Sequence, residues 1–175
     1  LLLIIDEVQT GFCRTGKWFG FEHAGITPDA VTMAKGMGNG MPVGALWARR
    51  DIASVLQPGD HGSTYSGTAL ATAAVSAVIS EMKRLHADEM AVRQGARLTK
   101  GLLAIPGIDS VRGSGLLLGA QLVEGIVAGD VYKQLLEKGL IVNAVNATTL
   151  RLAPPLTVSD AEIDEAVALI AEVLS

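Results

Sequence analysis

The stretch Leu1-Leu2-Leu3-Ile4-Ile5-Asp6-Glu7-Val8-Gln9 runs from five apolar residues directly into an acidic pair. This pattern predicts a strand that is buried on both faces, as in the parallel sheet of an α/β protein, and that ends where the polar residues begin. Ligands of open α/β sheets bind outside the carboxyl ends of such strands. Asp6 and Gln9 are therefore predicted to lie at the edge of the sheet where a binding site would form.

A second stretch places a lysine in a comparable position. Ala30-Val31-Thr32-Met33-Ala34 predicts a short strand, and it is followed by Lys35 and a turn containing Gly36, Gly38 and Gly40. A site between a buried strand and a glycine-rich turn restricts solvent around the amine, which suits a lysine that forms a Schiff base. Together with an acidic residue that pairs with the pyridine nitrogen, such a lysine fits a pyridoxal phosphate (PLP) site. A solvated loop lysine and a strand-end Asp6 with local hydrogen bonds are the alternatives.

Composition narrows the class of protein. The 175 residues carry a net charge of -4 and only 4% are aromatic, which disfavours nucleic-acid binding because that function relies on basic patches and aromatic stacking.

No apolar run approaches the ~18 residues of a membrane-spanning helix, so no membrane partner is predicted. A single cysteine, Cys13, cannot form an internal disulfide, and a reducing, cytoplasmic location is expected. His23, His61 and His86 lack metal-ligand spacing, so no metal site is predicted.

The remaining chain predicts an α/β fold with a domain change near His86. A lone parallel strand needs neighbours on both sides, so a chain that begins inside one is expected to be a fragment. The last helix has the firmest signal, a capping box at Ser159-Asp160-Ala161-Glu162. The other predicted elements are a strand at 43–48, a mostly buried helix at 68–85, a helix at 88–103, strands at 109–112 and 116–122, a helix at 130–138 closed by Gly139, and strands at 140–142 and 149–153.

Several spaced motifs carry a family resemblance. They are Asp6-Glu7-Val8-Gln9-Thr10-Gly11, Arg14-Thr15-Gly16, Pro28-Asp29, Ala34-Lys35-Gly36, Pro42-Val43-Gly44-Ala45 and His61-Gly62-Ser63-Thr64-Tyr65. In this order they resemble the class III PLP-dependent aminotransferases of fold type I, and the resemblance covers essentially the whole chain. It implies that residues 1–86 are the C-terminal part of the large PLP-binding domain, with its mixed sheet and the long connecting helix. Residues 87–175 would be the small C-terminal α/β domain.

The resemblance also implies roles for individual residues. Lys35 matches the lysine that forms the Schiff base with PLP and later shuttles the proton. Asp6 matches the partner of the pyridine nitrogen. Gln9 matches the residue that hydrogen-bonds the phenolic oxygen of the cofactor, and Val8 the residue that packs on the face of its ring.

Three further residues have implied roles. Thr64, with Ser63, matches the segment that reaches the cofactor phosphate of the neighbouring subunit, which implies a homodimer with shared active sites. Arg151 matches an arginine that binds a substrate carboxylate, for which its guanidinium fork is well suited. A surface ion pair is the alternative for Arg151.

The segments 111–119, 139–145, 150–156 and 159–164 resemble one branch of the family. That branch moves an amino group between N-acetylornithine and 2-oxoglutarate, with glutamate as the other amino acid, in arginine biosynthesis. The alternatives are an ω-aminotransferase for ornithine, succinylornithine, succinyldiaminopimelate or 4-aminobutyrate, and an inactive truncated fragment. A nucleotide-binding module would rest only on the glycine turn after Lys35, whose spacing does not match a dinucleotide loop.

Overall fold

Three strands form the sheet of the N-terminal unit, residues 1–87, in the computed structural model, which describes residues 1–175. The strands are β1 (Ile4–Asp6), β2 (Ala30–Met33) and β3 (Ala45–Ala48). β1 and β2 are parallel, and β2 and β3 are antiparallel. Because β1 and β2 run in the same direction, their carboxyl ends share one edge of the sheet. The predicted strands at 30–34 and 43–48 are confirmed, although each is shorter than predicted.

The prediction that the first strand is buried on both faces is wrong. Leu2 and Ile4 are 60% and 61% exposed, and the strand begins only at Ile4. β1 lies at the edge of the sheet and hydrogen-bonds to β2 alone, so the neighbours that would bury its apolar side chains are not part of this chain's fold. An apolar run indicates that a strand is suited to burial, but the elements that pack against the strand decide whether it is buried.

The N-terminal unit has two short helices between its strands and two helices after them. Two 3₁₀ helices cover Gly20–Ala24 and Lys35–Met37, and two α-helices follow, α1 (Arg50–Ala53) and α2 (Ala69–Leu85). The predicted long helix is thus confirmed, but its prediction as mostly buried is wrong. Ala71 is its one buried residue, because within this unit α2 packs chiefly against the short helix after β2.

The C-terminal unit, residues 88–175, is built on a second sheet. Its four strands have the spatial order β4-β5-β7-β6, and every neighbouring pair is antiparallel. The helix α3 (Ala87–Leu103) begins at the boundary between the units. The other elements are β4 (Ile108–Ser114), β5 (Leu117–Leu122), α4 (Ala128–Glu137), β6 (Asn143–Asn146), β7 (Thr149–Leu152) and α5 (Asp160–Val173).

The prediction of a strand at 140–142 is wrong, since β6 begins at Asn143. Gly139 has a φ of +85°, a left-handed conformation that glycine adopts without strain. The amides of Gly139 and Leu140 then donate to the carbonyl oxygens of Leu136 and Leu135 at 3.0 and 2.9 Å. These residues therefore close the end of α4, as the sequence predicted for Gly139, and are not free to pair in a sheet.

One face of the second sheet forms the core of its unit. The side chains of Leu118, Ala120 and Leu122 on β5 are buried, and those between them are only partly buried. This alternation places the core on one face and leaves Gly119 and Gln121 on the other. The core cluster further includes Leu98, Leu102, Ile105, Val131, Leu135, Leu150, Leu152, Ile163 and Ile170.

Hydrogen bonds connect α3 to α5 and to the residues just before it. The Nε of Arg97 donates to Asp164 at 2.8 Å, and the buried amide of Gln94 donates to Val158 and Asp160. The hydrogen bond from Arg97 holds the pKa of the Asp164 carboxyl below its usual value. Gly95 lets α3 approach the sheet closely, because a Cβ there would lie 2.1 Å from a backbone carbonyl oxygen of the β4–β5 turn.

The capping box at Ser159 is confirmed. Its amide donates to the Glu162 carboxylate at 2.7 Å, and the Glu162 amide donates to the Ser159 hydroxyl at 3.3 Å. These two hydrogen bonds begin α5 where the sequence predicted.

No helix of the chain is both long and apolar enough to cross a membrane.

Candidate functional site

Asp6 is the last residue of β1, and one of its two carboxylate oxygens is hydrogen-bonded within the chain. Its Oδ1 accepts hydrogen bonds from the Val8 amide at 2.9 Å and from the Thr32 hydroxyl at 3.2 Å. The residue is exposed, and its Oδ2 has no hydrogen-bond partner within the chain. The turn after β1 and the neighbouring strand therefore orient this carboxylate and leave one oxygen available to a ligand.

Lys35 lies at the same edge of the sheet. It follows β2 after one residue and begins the 3₁₀ helix Lys35–Met37. Its φ of +43° falls in the left-handed region, which is uncommon for a residue with a side chain. The side chain is exposed, and its Nζ forms no hydrogen bond or ion pair within the chain. The parallel pairing of β1 and β2 thus brings a free amine and an oriented carboxylate to one edge.

Glu7 is a residue of this region to which the sequence analysis assigned no role. It is 1% exposed, and its carboxylate accepts hydrogen bonds from the amides of Gly20 and Phe21 at 2.9 and 2.8 Å, and from the Thr10 hydroxyl. The sequence carried no direct signal for these contacts, because the two amides that Glu7 binds are 13 and 14 residues away.

The loop after β1 closes on this carboxylate. Gly20 and Phe21 begin the 3₁₀ helix Gly20–Ala24, so Glu7 binds the first amides of that helix. The backbone of Glu7 also joins the loop to the sheet, because its amide donates to Thr32 at 2.9 Å and its carbonyl oxygen accepts from Gly11 at 3.0 Å. The half-buried Val8 and Gln9 lie between these anchors, so their backbone positions are determined by Asp6 and Glu7.

Ser63 and Thr64 lie in an exposed loop of the N-terminal unit. The hydroxyls of Ser63 and Ser66 hydrogen-bond at 2.8 Å, and neither Ser63 nor Thr64 bonds to Asp6 or Lys35. Their role toward a neighbouring subunit stays a prediction.

Arg151 belongs to the C-terminal unit, on the face of β7 opposite to the core. It pairs with Gly119 of β5 on one side and with Asn143 of β6 on the other. The residue is half-buried, and its guanidinium forms no hydrogen bond or ion pair within the chain. All of its N–H donors are therefore available to an anion.

The same unit contains a cavity of about 380 Å³ on the core side of the sheet, where Leu98, Leu152 and Ile163 contribute to its lining. Glu162 is the one ionisable residue of this lining, and its carboxylate is occupied by the capping box. The cavity therefore offers no free acid or base, and Arg151 points to the opposite side of the sheet. No three His, Cys, Asp or Glu side chains of the chain are close enough to hold a metal ion.

Comparisons with known proteins find similar sequences along the whole chain. The model of the family described as "Aminotransferase class-III" matches residues 1–174. An acetylornithine aminotransferase of Caldanaerobacter subterraneus subsp. tengcongensis is 44% identical over 100% of this chain and 45% of its own length. The acetylornithine aminotransferase of Bacillus subtilis is 42% identical over 99% of this chain and 46% of its own length.

Solved structures show the same relationship. The ornithine aminotransferase of Toxoplasma gondii superposes with a TM-score of 0.91 at 33% identity, covering 99% of this chain and 43% of that one. The acetylornithine aminotransferase of Elizabethkingia anophelis superposes with a TM-score of 0.89 at 32% identity, covering 99% and 45%. The chain thus spans about half the length of the curated relatives it matches. The family model and the relatives cover nearly every residue of the chain, and this chain belongs to the class III aminotransferases.

Proposed function

We propose that this chain is the C-terminal part of an acetylornithine aminotransferase, which exchanges an amino group between N-acetylornithine and 2-oxoglutarate in arginine biosynthesis, in the cytoplasm. Class III aminotransferases depend on PLP. The observation that carries the proposal is the pair of groups at the shared edge of β1 and β2, the free amine of Lys35 and the oriented carboxylate of Asp6.

These donor groups fit the cofactor. When bound, PLP supplies an aldehyde that condenses with an amine and a ring that accepts electrons from the substrate carbon. Lys35 would hold the cofactor through its Nζ and then move the proton at the substrate carbon. Asp6 would accept a hydrogen bond from the ring nitrogen through its free Oδ2 and stabilise the positive charge there.

Other residues would orient the cofactor and the substrate. Gln9 would donate to the phenolic oxygen, and Val8 would pack on the face of the ring. Arg151 would bind the α-carboxylate of the amino acid through two parallel hydrogen bonds. Ser63 and Thr64 would bind the cofactor phosphate of the neighbouring subunit, so the active enzyme would be a homodimer that shares its active sites.

Reductive trapping tests this assignment. PLP is added to the purified full-length protein, borohydride is added, and the digest is searched by mass spectrometry for a pyridoxyl group. We expect labelling at Lys35, weaker labelling in the variant Asp6→Asn, and unchanged labelling in the control Lys133→Gln, whose exposed amine pairs with Asp130. Labelling spread over the exposed lysines, or no labelling, would contradict the proposal.

An ornithine-specific enzyme is the second candidate, because the T. gondii structure with the TM-score of 0.91 is an ornithine aminotransferase. The two candidates differ in whether the α-amino group of the substrate carries an acetyl group. Comparing kcat/KM for N-acetylornithine and ornithine in the full-length protein distinguishes them. A preference for ornithine would replace the first candidate by the second.

A further inference from the structure

The hydroxyl of Thr32 links the two strands that carry the candidate site. Asp6 of β1 and Thr32 of β2 are directly paired in the parallel part of the sheet. The Thr32 hydroxyl donates to Oδ1 of Asp6 at 3.2 Å, and it forms no other hydrogen bond within the chain. This hydroxyl therefore connects the carboxylate of Asp6 to the strand that precedes Lys35.

The backbone of Thr32 is held from both sides. β2 is the central strand of its sheet, and Thr32 pairs with Leu46 of β3 on the side away from Asp6. The carbonyl oxygen of Thr32 also accepts a hydrogen bond from the Glu7 amide at 2.9 Å. The branched side chain of a threonine has few rotamers in a strand. Thr32 thus presents its hydroxyl to Asp6 from a fixed position.

The two donors to Asp6 come from different parts of the unit. The Val8 amide, 2.9 Å from Oδ1, belongs to the turn directly after β1, whereas Thr32 is 26 residues away on β2. Both donors bind Oδ1, so Oδ2 is the oxygen that is left for a ligand. The last side-chain torsion of an aspartate has a broad energy well. Without the Thr32 hydroxyl, the carboxylate would be bound only to its own turn and would rotate more freely.

We propose that Thr32 is a positioning residue for the cofactor: its hydrogen bond to Oδ1 directs Oδ2 of Asp6 at the ring nitrogen of PLP and so keeps the proton on that nitrogen. This inference rests on the proposed function, in which PLP is the cofactor. A hydrogen bond to a carboxylate also stabilises its charged form. Both effects favour a charged Asp6 beside a protonated ring nitrogen, the state in which the ring accepts electrons.

The test compares wild type with Thr32→Val, which loses the hydroxyl and keeps the branched shape, in the full-length protein. PLP with a ¹⁵N-labelled ring is bound to the apo-protein, and the NMR shift of the ring nitrogen reports its protonation. We expect this shift to move toward the unprotonated value in Thr32→Val. PLP affinity should fall about three- to tenfold, the effect of losing one hydrogen bond. At saturating PLP, kcat should fall while KM for N-acetylornithine is unchanged, because Thr32 acts on the cofactor.

Further variants separate this role from an effect on folding. Thr32→Ser keeps the hydroxyl and should retain the ¹⁵N shift and the PLP affinity of wild type. The matched control is Thr72→Val, which removes an exposed hydroxyl of the same unit that donates to carbonyl oxygens at the start of α2, and it should behave like wild type. In an Asp6→Ala background, Thr32→Val should cause no further loss of PLP affinity, because its partner is absent. A merely structural role would lower the affinity in both backgrounds.

The outcomes distinguish failure of this inference from failure of the proposed function. An unchanged ¹⁵N shift in Thr32→Val, or an equal loss of PLP affinity with and without the Asp6 carboxylate, would overturn the role of Thr32 alone. A wild type that binds PLP at Lys35 but does not transaminate N-acetylornithine would refute the proposed function, and the shift in Thr32→Val would still decide the role of Thr32. A wild type that binds no PLP would refute both.

Discussion

Replacing Glu7 by glutamine should destabilise the N-terminal unit. Oε2 of the carboxylate accepts from Thr10 and Gly20, and Oε1 accepts from Phe21 at 2.8 Å. A glutamine has one acceptor oxygen. If that oxygen takes the place of Oε2, the Phe21 amide faces an NH₂ group and loses its partner.

The magnitude follows from the lost bond. A hydrogen bond to a charged group contributes about 1.5–3 kcal/mol, and a buried donor without a partner costs about 1–3 kcal/mol. Glu7 is 1% exposed, so water cannot readily replace the missing acceptor. We therefore expect Glu7→Gln to reduce the free energy of unfolding of this unit by about 2–3 kcal/mol. With an m-value of about 1–2 kcal/mol/M, the urea midpoint falls by more than about 1 M.

Tryptophan fluorescence makes the assay specific for this unit. The two tryptophans of the chain, Trp18 and Trp47, both lie within residues 1–87, so urea unfolding followed by their emission reports on that unit. The matched control is Glu81→Gln, which removes an exposed carboxylate that pairs with Arg84 on α2. We expect its midpoint to equal that of wild type.

A third variant checks the same reasoning. Thr10→Val removes one donor and leaves both backbone amides bound to Glu7, so it should cost about 1 kcal/mol. The reasoning is refuted if Glu7→Gln unfolds at the same midpoint as Glu81→Gln, or if Thr10→Val is more harmful than Glu7→Gln.

Three predictions concern the C-terminal unit. Gly95→Ala should destabilise it by more than about 2 kcal/mol, because the new Cβ would lie 2.1 Å from a backbone oxygen. Gly129→Ala places its Cβ in open space, so it should be neutral or stabilise the unit by up to about 1 kcal/mol. Thermal unfolding followed by circular dichroism compares the two variants, and equal shifts in their unfolding temperatures would contradict the clash. Ser159→Ala should cost about 1 kcal/mol through loss of the cap, seen as a lower urea midpoint by circular dichroism. The Arg97 hydrogen bond lowers the pKa of Asp164 in the folded state. The pair therefore contributes its full stability above the unfolded-state pKa of about 4, and this stability is lost as the pH falls through the lower folded-state pKa. The urea midpoints of wild type and Asp164→Asn should converge in acid, and a difference that stays constant with pH would contradict this.

Local patterns were sufficient to locate the candidate site. The run that ends at Asp6 and the strand that ends before Lys35 predicted two strand ends, and the parallel pairing of β1 with β2 brings them to one edge. The capping residue Ser159 and the closing Gly139 were also predicted, since both act on amides within a few residues of themselves.

Burial was not predictable in the same way. The apolar run of β1 and the apolar helix α2 are largely exposed, because burial depends on which other elements cover a face. A hydrophobic pattern indicates that a segment is suited to burial. It contains no information on which elements pack against that segment.

The contacts of Glu7 and Arg112 depended on folding over longer distances. Glu7 binds amides 13 and 14 residues away, and Arg112 reaches Thr149, 37 residues away. The cap at Ser159 and the turn at Gly139 are set by interactions between near neighbours in the chain, so the sequence alone establishes them. The spatial order of β4, β5, β7 and β6 follows from the packing of a whole core, and this order places Arg112 and Arg151 on the face of the sheet opposite to the core.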